Sequence, residues 1–145
     1  KLELAEAQPA RARTLLQEVL ALQPQQTEAL MLMGWLASSE GHTGEASAYY
    51  MDVLEQEPNH TEALTQLGYV LLEAGESGQA LQLFDRALNL QSPSLSVYNG
   101  IGLAFLQQAR YEDARNAFLL AYQLEPDNPE IQKALALADQ MVTLA

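Results

Sequence analysis

The stretch TEALTQLGYVLLEAGESGQALQLFDRALNLQSPS, residues 61–94, decides the fold. Its first part carries Leu64, Leu67, Gly68, Leu71 and Leu72, and its second carries Ala80, Leu83, Phe84, Ala87 and Leu88. Both sets follow the i, i+3, i+4, i+7 spacing of an amphipathic helix. Between them Ala74-Gly75-Glu76-Ser77-Gly78 forms a short breaker. The stretch therefore reads as two helices folded back on each other, each with an apolar stripe that must be covered.

Outward from it the same arrangement recurs every 34 residues. Gly34, Gly68 and Gly102 keep that period, each after an apolar residue, Met33, Leu67 and Ile101. Ala12, Ala46, Ala80 and Ala114 keep it too, and Leu16, Tyr50, Phe84 and Phe118 follow them by four. Pro24, Pro58 and Pro126 share the period, and Pro93 misses it by one residue. A fixed period of this length marks an array of stacked helix pairs. The glycines and alanines let the paired helices approach, and the residue four positions after each alanine, an aromatic in three of four, fills the space beside that contact. Prolines close each second helix, because the residue before proline avoids the helical region. Thr27 and Thr61 read as N-caps of the next helices, with Glu28 and Glu62 favourable at the positive end of the helix dipole.

The units divide as follows. Residues 1–26 are the tail of one unit, with a remnant of its first helix at about 1–7 and its second helix at about 10–22. Residues 27–60, 61–94 and 95–128 are three full units, and 129–145 form a capping helix that starts at Pro129. Asp139 and Gln140 interrupt the outer side of that last helix, as a terminal cap requires. The interrupted first unit leaves Leu15 and Val19 uncovered, an edge that would pack against another copy or against upstream residues. Asn99-Gly100 is a hairpin cue by itself, but the repeat register puts it in the middle of a helix. Gly100-Ile101-Gly102 lacks the third glycine and the strand of a nucleotide loop.

Composition excludes several functions. Of 145 residues, 19 are acidic and 7 basic, giving a net charge of −12. Phosphate backbones and anionic membrane surfaces would repel such a chain. Hydrophobic residues make up 48%, enough for a continuous core, yet no apolar run reaches the ~20 residues that cross a bilayer. With no cysteine, disulfides, thiolate nucleophiles and cysteine metal sites are out. His42 and His60 fall in turns without further ligands at metal spacing. No serine sits in a nucleophile elbow, and Glu112-Asp113 are adjacent on a helix and point apart, so they form no acid/base pair. The chain is read as a non-enzyme that takes no metal and no cofactor. Asn59-His60-Thr61 matches a glycosylation sequon by pattern only.

The pattern resembles the tetratricopeptide repeat family over residues 10–128. The nearest stretch is 95–128, through Tyr98, Ile101, Gly102, Phe105, Ala114, Phe118, Ala121 and Pro126. Leu30 and Leu64 depart from a frequent tryptophan, and Ala37 and Leu71 from a usual tyrosine. Ser92 replaces the usual proline, with Pro93 beside it, which would displace that turn. The resemblance implies an all-α, right-handed superhelical solenoid of antiparallel helix pairs. It also implies a concave groove, lined by the first helix of each unit, that holds another protein.

By that register the groove columns are Trp35, Tyr69 and Leu103; Met31, Thr65 and Asn99; Ser38, Leu72 and Leu106; and Ser39, Glu73 and Gln107. Glu28, Glu62 and Ser96 stand at the helix starts. One subclass of the family grips the C-terminal carboxylate of heat-shock chaperones with lysines, an arginine and asparagines in these columns. Here the columns hold no lysine or arginine, so that role is not expected. The remaining picture is an apolar, aromatic floor with an acidic rim of Glu28, Glu62 and Glu73. It would suit a partner segment, helical or extended, with apolar and some basic side chains. The alternative for Tyr69 and Leu103 is that they are core, packed on the next unit, and for the rim that it is a solvated face. Residues 27–60 hold Glu28, Glu40, Glu45, Asp52, Glu55 and Glu57 with no lysine or arginine, making this unit the place for a basic segment.

The glutamine-, alanine- and leucine-rich, lysine-poor style resembles bacterial proteins that assist pilus or secretion-system assembly. It points to the bacterial cytoplasm or periplasm, leaning to the envelope. The competing reading is a self-association or spacer module of a larger protein.

Overall fold

The computed structural model describes residues 2–90 and 94–145, with side chains from Gln8 onward. Eight helices follow one another among these residues: α1 (Leu2–Leu22), α2 (Thr27–Ser39), α3 (Thr43–Gln56), α4 (Thr61–Glu73), α5 (Ser77–Leu90), α6 (Leu95–Gln107), α7 (Tyr111–Leu124) and α8 (Pro129–Leu144). Packing is most extensive within the pairs α2/α3, α4/α5 and α6/α7, and each pair then stacks on the next. The result is an all-α, right-handed solenoid in which each unit touches mainly its neighbours.

The turn inside each pair is built the same way three times. Gly41 and Gly75 adopt left-handed backbone, with φ of 79° and 81°. Their amides bond the carbonyls of Ser38 and Leu72, and the following amides, His42 and Glu76, reach Ala37 and Leu71. This is the Schellman closure of a helix end. In the third pair Ala109 does the same at φ 57°, its amide bonding Leu106 and that of Arg110 bonding Phe105.

At the pair contacts, Ala46, Ala80 and Ala114 are fully buried, as are the aromatics four residues on, Tyr50, Phe84 and Phe118. Each ring lies against a glycine backbone. A Cβ on Gly34 would stand 2.6 Å from Tyr50 Cε1, and one on Gly68 would stand 2.6 Å from Phe84 Cε1. Gly102 meets Phe118 in the same manner. Phe84 is also covered from its other neighbour by Gly100 of α6.

Two local expectations are corrected. The N-caps are Gln26 and His60, not Thr27 and Thr61. Gln26 Oε1 accepts from the Ala29 amide, and His60 Nδ1 accepts from the Ala63 amide at 3.1 Å. Asn128 does the same for α8, accepting from Glu130 and Ile131. The reason is reach: a cap acceptor must stand one residue ahead of the first helical turn and bond the amide three residues on, and the threonines are already helical. Second, residues 2–22 form one helix through Pro9, not a remnant followed by a second helix. A seven-residue remnant is under two turns, too short for packing to offset a left-handed Ala7 in the turn. Asn99-Gly100 lies inside α6, where the repeat register places it. The turn at Ser92 and Pro93 lies outside the described residues.

Candidate functional site

The groove residues come from the first helix of each pair. Glu28, Met31, Trp35 and Ser38 lie on α2, Glu62, Thr65, Tyr69, Leu72 and Glu73 on α4, and Asn99, Leu103 and Leu106 on α6. Trp35 is 60% exposed, and Glu28, Glu62 and Glu73 are also exposed. Met31, Ser38, Asn99, Leu103 and Leu106 are half-buried. Tyr69 is held rather than offered. Its hydroxyl donates to the Ser96 carbonyl and accepts from Asn99 Nδ2 at 3.2 Å. Its ring meets Phe84 edge-on, centroids 5.4 Å apart. Burial raises its phenol above the usual value, and the Asn99 bond opposes that rise.

Two of the columns change meaning. Leu72 sits in the core cluster with Phe84, Val97 and Ile101. Thr65 is 8% exposed, and its hydroxyl donates to the Thr61 carbonyl at 2.8 Å. Leu72 is a core contact where α6 packs on α4, and Thr65 is buried on α4, so neither is open groove.

The acidic surplus of residues 27–60 is also partly used. Arg13 on α1 reaches Glu40 at 2.7 Å and Glu45 at 2.8 Å. These two carboxylates tie α1 to the α2–α3 turn, which the sequence reading did not foresee. Glu28, outside these pairs, remains exposed on α2, as Glu62 and Glu73 do on α4.

Between α2 and α4 the surface opens into a cleft of about 350 Å³, lined by Met31, Leu32, Trp35, Tyr50, Glu62 and Gln66. Leu32 is 53% exposed, so the cleft has two exposed apolar walls from one helix. Tyr50 comes from α3 beneath and is fully buried. Its hydroxyl has no hydrogen-bond partner among the described residues. Burial, and then the nearby Glu62 carboxylate, push this phenol up to about 12. The sequence reading missed Leu32, Gln66 and Tyr50 as site residues. Leu32, Gln66 and Gly100 form a column of their own at the 34-residue period, and an apolar Leu32 off the core register was its signal. A hydroxyl at position 50, where the equivalent residues are Phe84 and Phe118, was the other.

A larger depression of about 940 Å³ lies at the α7–α8 turn, among Leu124 to Glu130, where the lining residues are almost all exposed turn residues. Among the described residues no three metal-ligating side chains come together. No helix there is long and apolar enough to cross a membrane.

This architecture is shared. A family model described as Anaphase-promoting complex, cyclosome, subunit 3 matches residues 39–121. A comparison with curated proteins finds no match. Among solved structures, the Arabidopsis OM64 TPR domain is similar with TM-score 0.75 and 21% identity, covering 79% of this chain and 94% of that one. The MamA RS-1 ArsTM double mutant is similar with TM-score 0.84 and 24% identity, over 94% of this chain and 76% of that one. The first TPR of Spaghetti (RPAP3), bound to an HSP90 peptide SRMEEVD, has TM-score 0.77 and 20% identity, over 82% and 94%.

Proposed function

The chain belongs to the family described as Anaphase-promoting complex, cyclosome, subunit 3, a tetratricopeptide-type array, and on that premise we propose that its inner face holds a segment of a partner protein. Tetratricopeptide arrays are protein-interaction modules, and the Spaghetti structure holds a peptide on this fold. The observation that carries the proposal for this chain is Trp35, a large aromatic standing 60% exposed on the groove side. An exposed tryptophan beside an apolar wall is the usual chemistry of a binding anchor.

The units of binding are residues 27–60, 61–94 and 95–128, with Trp35, Met31 and Leu32 as the apolar contact and Glu28 and Glu62 as the acidic rim. The bound segment carries apolar and basic side chains. It differs in kind from the acidic peptide in the Spaghetti complex, since a groove without lysine or arginine has nothing to pair with carboxylates. The setting we assign is the assembly of a bacterial envelope, pilus or secretion complex, supported by sequence style alone.

Selection from a random peptide display library tests this. Wild-type protein should enrich sequences with apolar and basic residues, and Trp35→Ala should lose that enrichment while retaining its helical circular dichroism. Enrichment of acidic C-terminal sequences, or enrichment indifferent to Trp35, would overturn it. A second reading, self-association, is favoured by α1, where Leu15, Val19 and Leu22 are exposed, Leu22 at 85%. A molecular mass that rises with concentration in sedimentation, and falls back in a Leu15→Lys/Leu22→Lys variant, would support it.

A further inference from the structure

The cleft between α2 and α4 combines four features that one kind of side chain satisfies. Its walls, Leu32, Met31 and the Trp35 ring, are hydrocarbon and aromatic. Its rim carries the Glu62 carboxylate, and Gln66 adds an amide. Tyr50, fully buried, lines it from beneath, and its hydroxyl has lone pairs and no partner among the described residues. No lysine or arginine lines it.

We propose that this cleft is a subsite for one basic side chain, lysine or arginine, of a bound segment. The inference rests on the reading of the inner face as a protein-binding groove. The methylene stem would lie along Leu32 and Met31 with the cationic head over the Trp35 face. The head has only donors to give, and it meets acceptors at Glu62, Tyr50 Oη and the Gln66 amide oxygen. An anionic side chain would face Glu62 with no compensating cation. A purely apolar one would fill the walls but leave the Tyr50 hydroxyl unsatisfied. Tyr50 is singled out because the equivalent position in the next two units is Phe84 and Phe118, so packing alone does not require an oxygen there.

Trp35 is the one tryptophan of the chain, so its indole N–H resonance and its emission report this site directly. The test titrates four probes into the full chain: Nα-acetyl-lysine methylamide, Nα-acetyl-arginine methylamide, Nα-acetyl-norleucine methylamide and Nα-acetyl-glutamate methylamide. The two cationic probes should shift the Trp35 signals with dissociation constants on the order of millimolar. Norleucine should bind roughly tenfold more weakly and glutamate not measurably. Glu62→Gln should weaken the cations about fivefold, and Tyr50→Phe about tenfold.

Tyr50→Phe is a safe variant for folding, because phenylalanine already fills the equivalent place twice. Equal affinity for norleucine and lysine, or Tyr50→Phe binding the cations as wild type does, overturns the proposal. If display peptides still depend on Trp35 but are indifferent to Tyr50→Phe and Glu62→Gln, the groove reading survives and this subsite does not. If the cationic probes bind with the stated sensitivity but no peptide is enriched, the subsite stands and the groove reading falls.

Discussion

Replacing Gly100 by alanine should destabilise the protein, although alanine is the better helix former. The new Cβ would stand 2.7 Å from Phe84 Cε1 and 2.8 Å from Cε2, and closer still to Cζ. Phe84 is fully buried and cannot swing away, since on its other side a Cβ at Gly68 would already be 2.6 Å from the ring. Forcing a methyl into a core costs about 1–3 kcal/mol, and with three ring atoms inside 3.0 Å the upper part of that range, about 2–3 kcal/mol, applies. The gain in helix propensity from glycine to alanine returns ~1 kcal/mol. The net is a loss of about 1–2 kcal/mol, or roughly 3–6 °C in Tm for a chain of this size.

Gly78→Ala is the matched control. Gly78 is the second residue of α5, and its Cβ would meet nothing within 4 Å. That change should stabilise, by about 0.5 kcal/mol. Thermal and urea unfolding followed by circular dichroism would give both numbers. A Phe84→Leu background should relieve Gly100→Ala, with a coupling of about 1 kcal/mol in the double-mutant cycle. If Gly100→Ala is as stable as wild type, or stabilises as Gly78→Ala does, the account of these glycines as sites of ring contact is wrong.

Two further changes have signs set by the structure. Ala109→Gly should stabilise by about 0.5–1 kcal/mol, because relief of left-handed strain at φ 57° (about 1–2 kcal/mol) exceeds the added chain entropy of glycine (about 0.5–1 kcal/mol). Urea midpoints of wild type and variant would decide it, and an unchanged or lower midpoint would count against it. Tyr50, its phenol pushed from 10.0 to about 12, should make the fold alkali-sensitive. Its neutral form is preferred when folded, so that stability is complete below pH 10 and is lost as pH rises through 12. About 1 kcal/mol should be gone by pH 11, and Tyr50→Phe should lose that much less between pH 9 and 11 in urea unfolding. Equal losses in the two proteins would show that Tyr50 is not the group responsible.

The array was legible because stacking units impose one period on several residue columns at once. Gly34, Ala46 and Tyr50 could each arise by composition, but their recurrence at fixed offsets could not. What was missed belongs to single residues. Threonine was the better cap by preference, yet Gln26, His60 and Asn128 do the capping, and all three sit on the 34-residue period. The helix through Pro9 was missed because a turn needs a partner helix to hold it, which local sequence does not report. Trp35 was readable as an exposed aromatic, but the fates of Tyr69 and Leu72 depend on how closely α6 lies against α4. Gly100 on α6 and Gly68 on α4 both lie against the Phe84 ring, with no side chain at either to hold the helix off it. Tyr50 was read only as a space-filling ring, so the consequence of its oxygen went unseen.

The contrast between the two seams of the inner face follows from side-chain chemistry at equivalent positions. The α4–α6 seam is closed by Tyr69 donating to the Ser96 carbonyl and by Gln107 Nε2 donating to the Leu72 carbonyl at 2.7 Å. One period earlier, Trp35 stands for Tyr69 and Glu73 for Gln107. Glu73 is a carboxylate that only accepts, so it has no proton to give the Ser38 carbonyl. Trp35 has no hydroxyl, and its indole makes no bond to α4 among the described residues. Gln66 replaces the glycine that lets α6 sink onto Phe84. Each substitution removes one reason for α2 to close on α4, and together they leave the cleft. At the open seam Trp35 and Gln66 line the cleft beside Glu62, whereas the next seam is tied by the Tyr69 and Gln107 side chains. Repeated units thus present two different seams: the one tied by Tyr69 and Gln107 is closed, and on the proposed reading the open one supplies the groups a partner would reach.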